Sequence, residues 1–283
     1  MLAQGRKRNP SLSEMREGEG RRLLKAPKDV EIFEDTVGGC TGEWHRPKET
    51  NPSAILLYLH GGAYVTGSHR THRALAASLA RAVRCLTFVC DYRLAPEHPF
   101  PAALEDAASV FRALQLRFPN AFIAVAGDSA GGGLSLSLAI HLRDEGISLP
   151  CALALLSPWT DLTLNNETHK TKTDVDPFFT TADALKFAVT AYAGTNAVTV
   201  PLISPQFADL HGLPPTIIHV GDLETLLDDS RVIAKKLQAA GVEVSFKIFP
   251  RMWHVWQAFA GCFREADESI VEIGTFLRSH INY

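Results

Sequence analysis

The chain has 283 residues, with 28 Lys plus Arg against 31 Asp plus Glu and a formal net charge of −3 at pH 7. Hydrophobic residues make up 46% of it and charged residues 21%, enough apolar matter for a substantial core, so wholesale disorder is excluded. So even a charge balance gives no electrostatic basis for binding nucleic acid or an anionic membrane surface, and no apolar run approaches the roughly 20 residues of a membrane span.

Residues 1–45 read as an N-terminal arm. Its start is basic and no apolar segment follows, which speaks against a secretory signal. Ser11-Leu12-Ser13-Glu14 has the spacing of a helix-opening capping box, so the arm is equally a solvated tail or a short helical lid element. From residue 46 to 283 the pattern is that of one domain. Short apolar runs at Ala54–Leu59, Leu86–Asp91, Ile123–Ala126, Ala152–Ser157, Thr216–Val220 and Val244–Phe249 predict strands. Amphipathic stretches at about 71–83, 102–117, 130–144, 182–192, 226–240 and 264–280 predict helices between them. Strands alternating with helices imply an α/β fold with a mostly parallel sheet covered on both faces. Ligand sites in such sheets lie beyond the carboxyl ends of the strands. Residues 161–205 break the rhythm with a polar stretch, Pro177-Phe178-Phe179 and an aromatic helix, as a lid insertion would. The five cysteines, Cys40, Cys85, Cys90, Cys151 and Cys262, are scattered without a CxxC pair. Reduced thiols in the cytoplasm are therefore expected, with neither a disulfide framework nor a structural zinc site.

The predicted strand Ile123–Ala126 runs into Gly127-Asp128-Ser129-Ala130-Gly131, and a predicted helix follows. This is G-x-S-x-G in strand–turn–helix context, which presents a serine on a sharp elbow. A dinucleotide fingerprint would need glycine at Ser129, and a phosphate loop would need lysine at Gly133, so both are excluded. A second glycine turn, His60-Gly61-Gly62-Ala63-Tyr64, follows the strand Ala54–Leu59. Acyl transfer through serine needs donors aimed at the developing oxyanion. Backbone N–H groups of that turn, with the one after Ser129, are suited to it. A base and an orienting acid follow in the order Ser, acid, His in nucleophile-elbow hydrolases. His254, in the loop after the last strand, is the base candidate; Asp222 and Glu224, in the turn after Thr216–Val220, are both acid candidates.

Three blocks together resemble the hormone-sensitive-lipase-like family of α/β-hydrolases, especially its bacterial esterases. They are His60-Gly61-Gly62-Ala63-Tyr64, Asp91-Tyr92-Arg93-Leu94-Ala95-Pro96-Glu97-His98-Pro99-Phe100-Pro101-Ala102, and Gly127-Asp128-Ser129-Ala130-Gly131-Gly132. The resemblance runs from about residue 50 to the end. It implies the α/β-hydrolase fold, an eight-stranded sheet with helices on both faces, and a small helical lid built from the N-terminal arm and an insertion. It further implies hydrolysis of short- to medium-chain carboxylic esters through an acyl-enzyme, with no cofactor and no metal. Carried over by position, Ser129 is the nucleophile, His254 the general base, and the N–H groups of Gly62, Ala63 and Ala130 form the oxyanion hole. The family's spacing of acidic positions fits Glu224 and Asp228, which favours Glu224 over Asp222 as the triad acid. Ala63 departs from the family's third glycine but keeps its N–H, and a short segment before His60 implies a more open pocket.

The expected partner is a small ester, with no nucleic acid and no membrane span; the family's habits leave a homodimer open. An amidase or arylformamidase with the same triad is the alternative. A non-catalytic receptor of the same fold is disfavoured by His254, which such receptors lack. Arg93 and Glu97 are expected to make buried polar contacts that brace the oxyanion turn. His69 and His72 are expected at the surface of a helix start. Trp159, Phe178, Phe179, Phe187 and Trp256 are read as core or acyl-pocket lining, and Trp253 as packing for the histidine loop.

Overall fold

The computed structural model describes residues 12–19, 24–177 and 182–281. Eight strands form one sheet: β1 (Val30–Val37), β2 (Cys40–Pro47), β3 (Asn51–Leu59), β4 (Cys85–Cys90), β5 (Phe122–Asp128), β6 (Leu153–Leu156), β7 (Thr216–Gly221) and β8 (Val244–Phe249). Their order across the sheet is β1-β2-β4-β3-β5-β6-β7-β8. β1 and β2 are antiparallel to each other, and β2 is antiparallel to β4. From β4 to β8 every neighbouring pair is parallel.

The described helices are α1 (Leu12–Glu19), α2 (Arg73–Val83), α3 (Ala102–Arg117), α4 (Ala130–Asp144), α5 (Thr168–Thr171), α6 (Ala182–Ala193), α7 (Leu227–Ala239) and α8 (Arg264–Ser279). Alternation along β3 explains how they divide. Leu56 and Tyr58 point into one apolar cluster with Leu75 and Leu79 of α2 and Ile270, Ile273 and Leu277 of α8. Ile55, Leu57 and Leu59 point into the other, with Phe111 of α3, Leu134 and Leu138 of α4, and Ile233 and Leu237 of α7. A strand covered on both faces is apolar throughout rather than alternating, and six consecutive residues from Ala54 to Leu59 are buried. Each such Leu or Ile contributes roughly 1.5–3 kcal/mol by leaving water. α4 is buried on nearly every side, which marks it as the central helix; α8 buries one stripe only.

The eight-stranded α/β-hydrolase architecture expected from the motif blocks is the one observed. Helices α3 and α4 coincide with their expected spans. Strands β1 and β2 were not separately marked, and the expected boundary between residues 45 and 46 falls inside β2. The sheet therefore starts at Val30, and residues 30–45 belong to it rather than to an arm. Ser11 of the capping box and the Phe178-Phe179 pair lie outside the described residues. Between β6 and β7 the insertion carries α5 and α6, and the carboxyl ends of β3, β5, β6, β7 and β8 meet at one rim of the sheet.

Candidate active site

β5 ends at Asp128 and α4 starts at Ala130, so Ser129 makes the whole turn, with φ 53° and ψ −121°. Positive φ is strained for a residue with a Cβ, and here the surroundings impose it. A Cβ on Gly127 would lie 2.3 Å from the Gly131 carbonyl oxygen, and one on Gly131 would lie 2.0 Å from that of Leu59. The Ser129 N–H donates to the Leu156 carbonyl at 2.8 Å, and its own carbonyl accepts Trp159 N–H at 2.9 Å and Gly133 N–H at 3.1 Å. These bonds pin the elbow between β6 and the chain that leaves it.

The glycine turn lies alongside. Gly62, Ala63 and Tyr64 all have positive φ, at 112°, 54° and 63°. The Gly62 carbonyl turns away to accept N–H groups of Val65 at 3.0 Å and Thr66 at 2.9 Å. Among the described residues, no acceptor is found for the N–H groups of Gly62, Ala63 and Ala130. Asp128, beside the serine, holds the turn's base: its Oδ1 accepts the Tyr58 hydroxyl at 2.5 Å and the Gly61 N–H at 3.0 Å. His72 Nε2 lies 3.3 Å from Oδ2. Burial pushes the Asp128 carboxyl up, but His72 and the Tyr58 hydroxyl outweigh it and hold it below the ordinary value. His60 stacks on Tyr92 at 4.2 Å, and the Tyr92 hydroxyl donates to the His60 carbonyl at 2.6 Å. Burial, reinforced by the neighbouring His72, lowers the His60 pKa to about 4, so this ring is neutral at pH 7.

Four expectations change here. Arg93 pairs with Asp106 and Glu105 at the surface, and Glu97 pairs with Arg16 of α1 while itself half exposed. Neither makes the buried brace; Tyr92, Asp128 and the Ala95 N–H, which donates to the Tyr64 carbonyl at 2.9 Å, do. Nor do His69 and His72 sit at a helix surface. His69 is buried, with Nδ1 2.5 Å from Asp91 and Nε2 3.4 Å from Glu43. The ligand atoms of Glu34, Glu43 and His69 lie within 4.8 Å of one another, but Arg73 already pairs with Glu43 and Arg70 with Glu34. Burial opposes ionisation of Glu43, yet His45 and Arg73 lower its pKa to about 2.

On the other flank, His254 Nδ1 lies 2.9 Å from Glu224 Oε2. Glu224 Oε1 accepts the Gly221 N–H at 2.6 Å and the Ser157 hydroxyl at 2.7 Å. Glu224 is fully buried and His254 nearly so. Burial raises the Glu224 pKa, and its hydrogen bonds offset this only in part. Burial pulls His254 down, but the bond and charge of Glu224, with the charges of Asp176 and Asp128, raise it above the ordinary imidazole value. Asp222, the other acid candidate, instead accepts the Arg251 N–H at 2.6 Å and ties the ends of β7 and β8. Asp228 and Asp229 fall in the first turn of α7, where carboxylates suit the positive end of the helix dipole.

Sequence reasoning missed Ser157 and Asp176, and placed Asp229 at the start of a helix without its partners. Asp176 accepts the Thr225 N–H at 2.9 Å, next to Glu224. Asp229 gathers the insertion onto α7, accepting N–H groups of Thr160 at 2.9 Å and Asp161 at 2.8 Å, with His169 Nε2 at 2.6 Å. Tyr192 of α6 stacks flat on Tyr64 at 3.6 Å, joining the insertion to the glycine turn. Trp159 and Trp256 are buried, whereas Phe187 is exposed. Trp253 packs edge-on against Phe259 in the histidine loop.

A family defined by the alpha/beta hydrolase fold matches residues 56–258. The chain is 41% identical over 245 residues to an acetyl-hydrolase of Streptomyces hygroscopicus, covering 86% of this chain and 81% of the relative. It is 35% identical over 260 residues to an esterase of Acinetobacter venetianus, covering 91% and 85%. Its structure matches an esterase from the bacterial hormone-sensitive lipase family with TM-score 0.93 and 39% identity, covering 99% of this chain and 94% of the other. The chain is a hormone-sensitive-lipase-like α/β-hydrolase. As a member of that family it is an esterase, and the glycine turn, elbow and acid–histidine pair described above are its candidate machinery. Among the described residues no helix is long and apolar enough to cross a membrane.

Proposed function

We propose that this esterase hydrolyses short- to medium-chain acyl esters through Ser129, His254 and Glu224 and an acyl-enzyme intermediate. The observation that carries the triad is the 2.9 Å contact between His254 Nδ1 and Glu224 Oε2, at the same rim of the sheet as the strained Ser129 elbow. In this mechanism Glu224 holds the proton on Nδ1, which leaves Nε2 to take the Ser129 proton as Oγ attacks the ester carbonyl. The N–H groups of Gly62, Ala63 and Ala130 receive the developing oxyanion. One such donor is worth about 3–4 kcal/mol in transition-state stabilisation. His254 then protonates the departing alcohol, and a water activated by the same ring releases the acid.

Support for an ester substrate comes from the relatives' names, acetyl-hydrolase and esterase. A related structure at 39% identity was soaked with p-nitrophenyl butyrate, a short acyl ester. The free cysteines are compatible with a reducing compartment, which favours the cytoplasm. Hydrolysis of p-nitrophenyl esters from acetate to laurate by wild type and Ser129→Ala tests the proposal. A Ser129-dependent rate that peaks at short chains supports it. A rate unchanged in Ser129→Ala overturns it, and activity on anilides equal to that on matched esters would favour the amidase.

A further inference from the structure

We propose that Ser157 is a positioning residue for the reaction, its hydroxyl clamping the acid and the histidine loop into one unit. The inference rests on the triad reading above. Ser157 follows β6 and is wholly buried, with φ 48°, a backbone state that a serine adopts at a cost. Its N–H donates to the His219 carbonyl at 2.8 Å, which locks its backbone to β7. From that position the hydroxyl donates to Glu224 Oε1 at 2.7 Å and accepts the Val255 N–H at 3.3 Å. Val255 is the residue after His254 and is itself at positive φ, 51°.

One hydroxyl thus bridges the two loops that carry the acid and the base, and it uses both its donor and its acceptor capacity to do so. The geometry also accounts for glutamate as the acid. Glu224 lies on a turn that begins at Gly221, and its longer side chain folds back so that Oε1 meets both the Gly221 N–H and Ser157. Oε2 is then left to face His254. A carboxylate fixed at one oxygen by two donors cannot rotate away from the imidazole during turnover. Ser157 touches neither the ester nor Ser129 Oγ in this scheme; it acts through Glu224 and through the main chain beside His254.

The consequences differ from those of a packing residue. Removing the hydroxyl takes a donor from the carboxylate and leaves its charge less compensated. Glu224 then stabilises the imidazolium more strongly in the free enzyme, so the acid limb of kcat/KM moves to higher pH. The charges that raise His254 come from Glu224 in the loop after β7, Asp176 in the segment after α5 and Asp128 at the end of β5. These three are carboxylates, and none of them replaces the lost donor.

The test compares Ser157→Ala, Ser157→Gly, Glu224→Gln and Ser157→Ala/Glu224→Gln on p-nitrophenyl butyrate across pH. Glycine suits a positive φ better than serine, so Ser157→Gly relieves the backbone strain while removing the same hydroxyl. Both Ser157 variants are expected to lose about tenfold in kcat, the scale of a hydrogen bond to a charged group. Their KM should stay within about twofold, and their acid limb should rise. In the Glu224→Gln background the Ser157→Ala change should cost much less, because the group it acts through is gone. A Ser157→Gly enzyme with wild-type kcat and pH profile overturns the inference, as does a loss equally large in both backgrounds. If Glu224→Gln itself keeps wild-type activity, the triad reading fails instead, and the two failures are told apart by that single variant.

Discussion

The turn at Gly61–Tyr64 and the Glu224–His254 pair flank the same serine, yet the first is fixed by close backbone approach and the second by side-chain hydrogen bonds. Around the turn, glycines sit where a Cβ could not. One on Gly61 would lie 2.2 Å from Asp128, and one on Gly62 would lie 2.3 Å from the Thr66 carbonyl oxygen. Around the pair one glycine is held as closely, Gly221, where a Cβ would lie 2.1 Å from the Met252 carbonyl oxygen, but the groups that meet there are a carboxylate, an imidazole and a hydroxyl from three loops. The difference follows from the two tasks proposed for them. An oxyanion needs fixed donors whose charge never changes, whereas a base must gain and lose a proton and needs neighbours that set its pKa. Backbone suits the first task and titratable side chains the second.

Loss of the proposed nucleophile removes what both flanks serve, so Ser129→Ala is expected to lower kcat by about 10³-fold or more without unfolding the protein, as activity and a circular-dichroism melt would show. On the side-chain flank, Glu224→Gln is expected to cost about 10³–10⁴ in kcat, since the wrong tautomer of His254 is then favoured. Asp222→Asn should leave kcat within about twofold. A larger loss from Asp222 would reverse the assignment of the acid. On the backbone flank, Asp128→Asn replaces a buried carboxylate that accepts from Tyr58 and Gly61. About tenfold is expected in kcat, together with a lower melting temperature. The contrast is sharpened if KM stays unchanged.

Titration separates the flanks further. His254 is raised above the ordinary imidazole value, so kcat/KM is expected to fall as pH drops through that raised pKa, while His60, near 4, stays neutral across the range. Glu43 has a folded pKa of about 2 against an ordinary 4.5. The stability it contributes is therefore present above about pH 4.5 and lost as pH falls toward 2; acid melts of Glu43→Gln should show a flatter decline there. The smallest effect is expected of Glu97→Ala. Its ion pair with Arg16 is exposed, and Arg16 keeps the Val65 and Ala95 carbonyls as acceptors, so the melting temperature should not move measurably.

The parallel part of the sheet was legible because its strands are continuous apolar runs and its helices carry amphipathic spacing between them. The hairpin β1–β2 was not, since Glu31, Glu34, Asp35, Glu43 and Arg46 leave no apolar run to mark it. Its burial depends on β4 and Phe88, remote in sequence. At the site, Ser129, His254 and the glycine turn announce themselves through local motifs and chain order. Glu224 and Asp222 were separable only by the family's spacing, and their different partners, His254 and the Arg251 N–H, are tertiary facts. His69 and His72 were misplaced for the same reason, because Glu43 of β2, Asp128 of β5 and Asp91 just after β4 reach them from remote parts of the chain. Ser157 offered one signal, its place at the carboxyl end of a buried strand, where ligand sites of parallel sheets gather.

Asp128 precedes the serine in the chain and also grips the Gly61 N–H. The proposed attacker and anion cradle are thereby riveted to the tip of a single strand. A displacement of β5 would therefore carry the serine and the glycine turn together. The insertion above bears on the same assembly, because Tyr192 lies flat on Tyr64, so whatever enters at the mouth is felt at the bite.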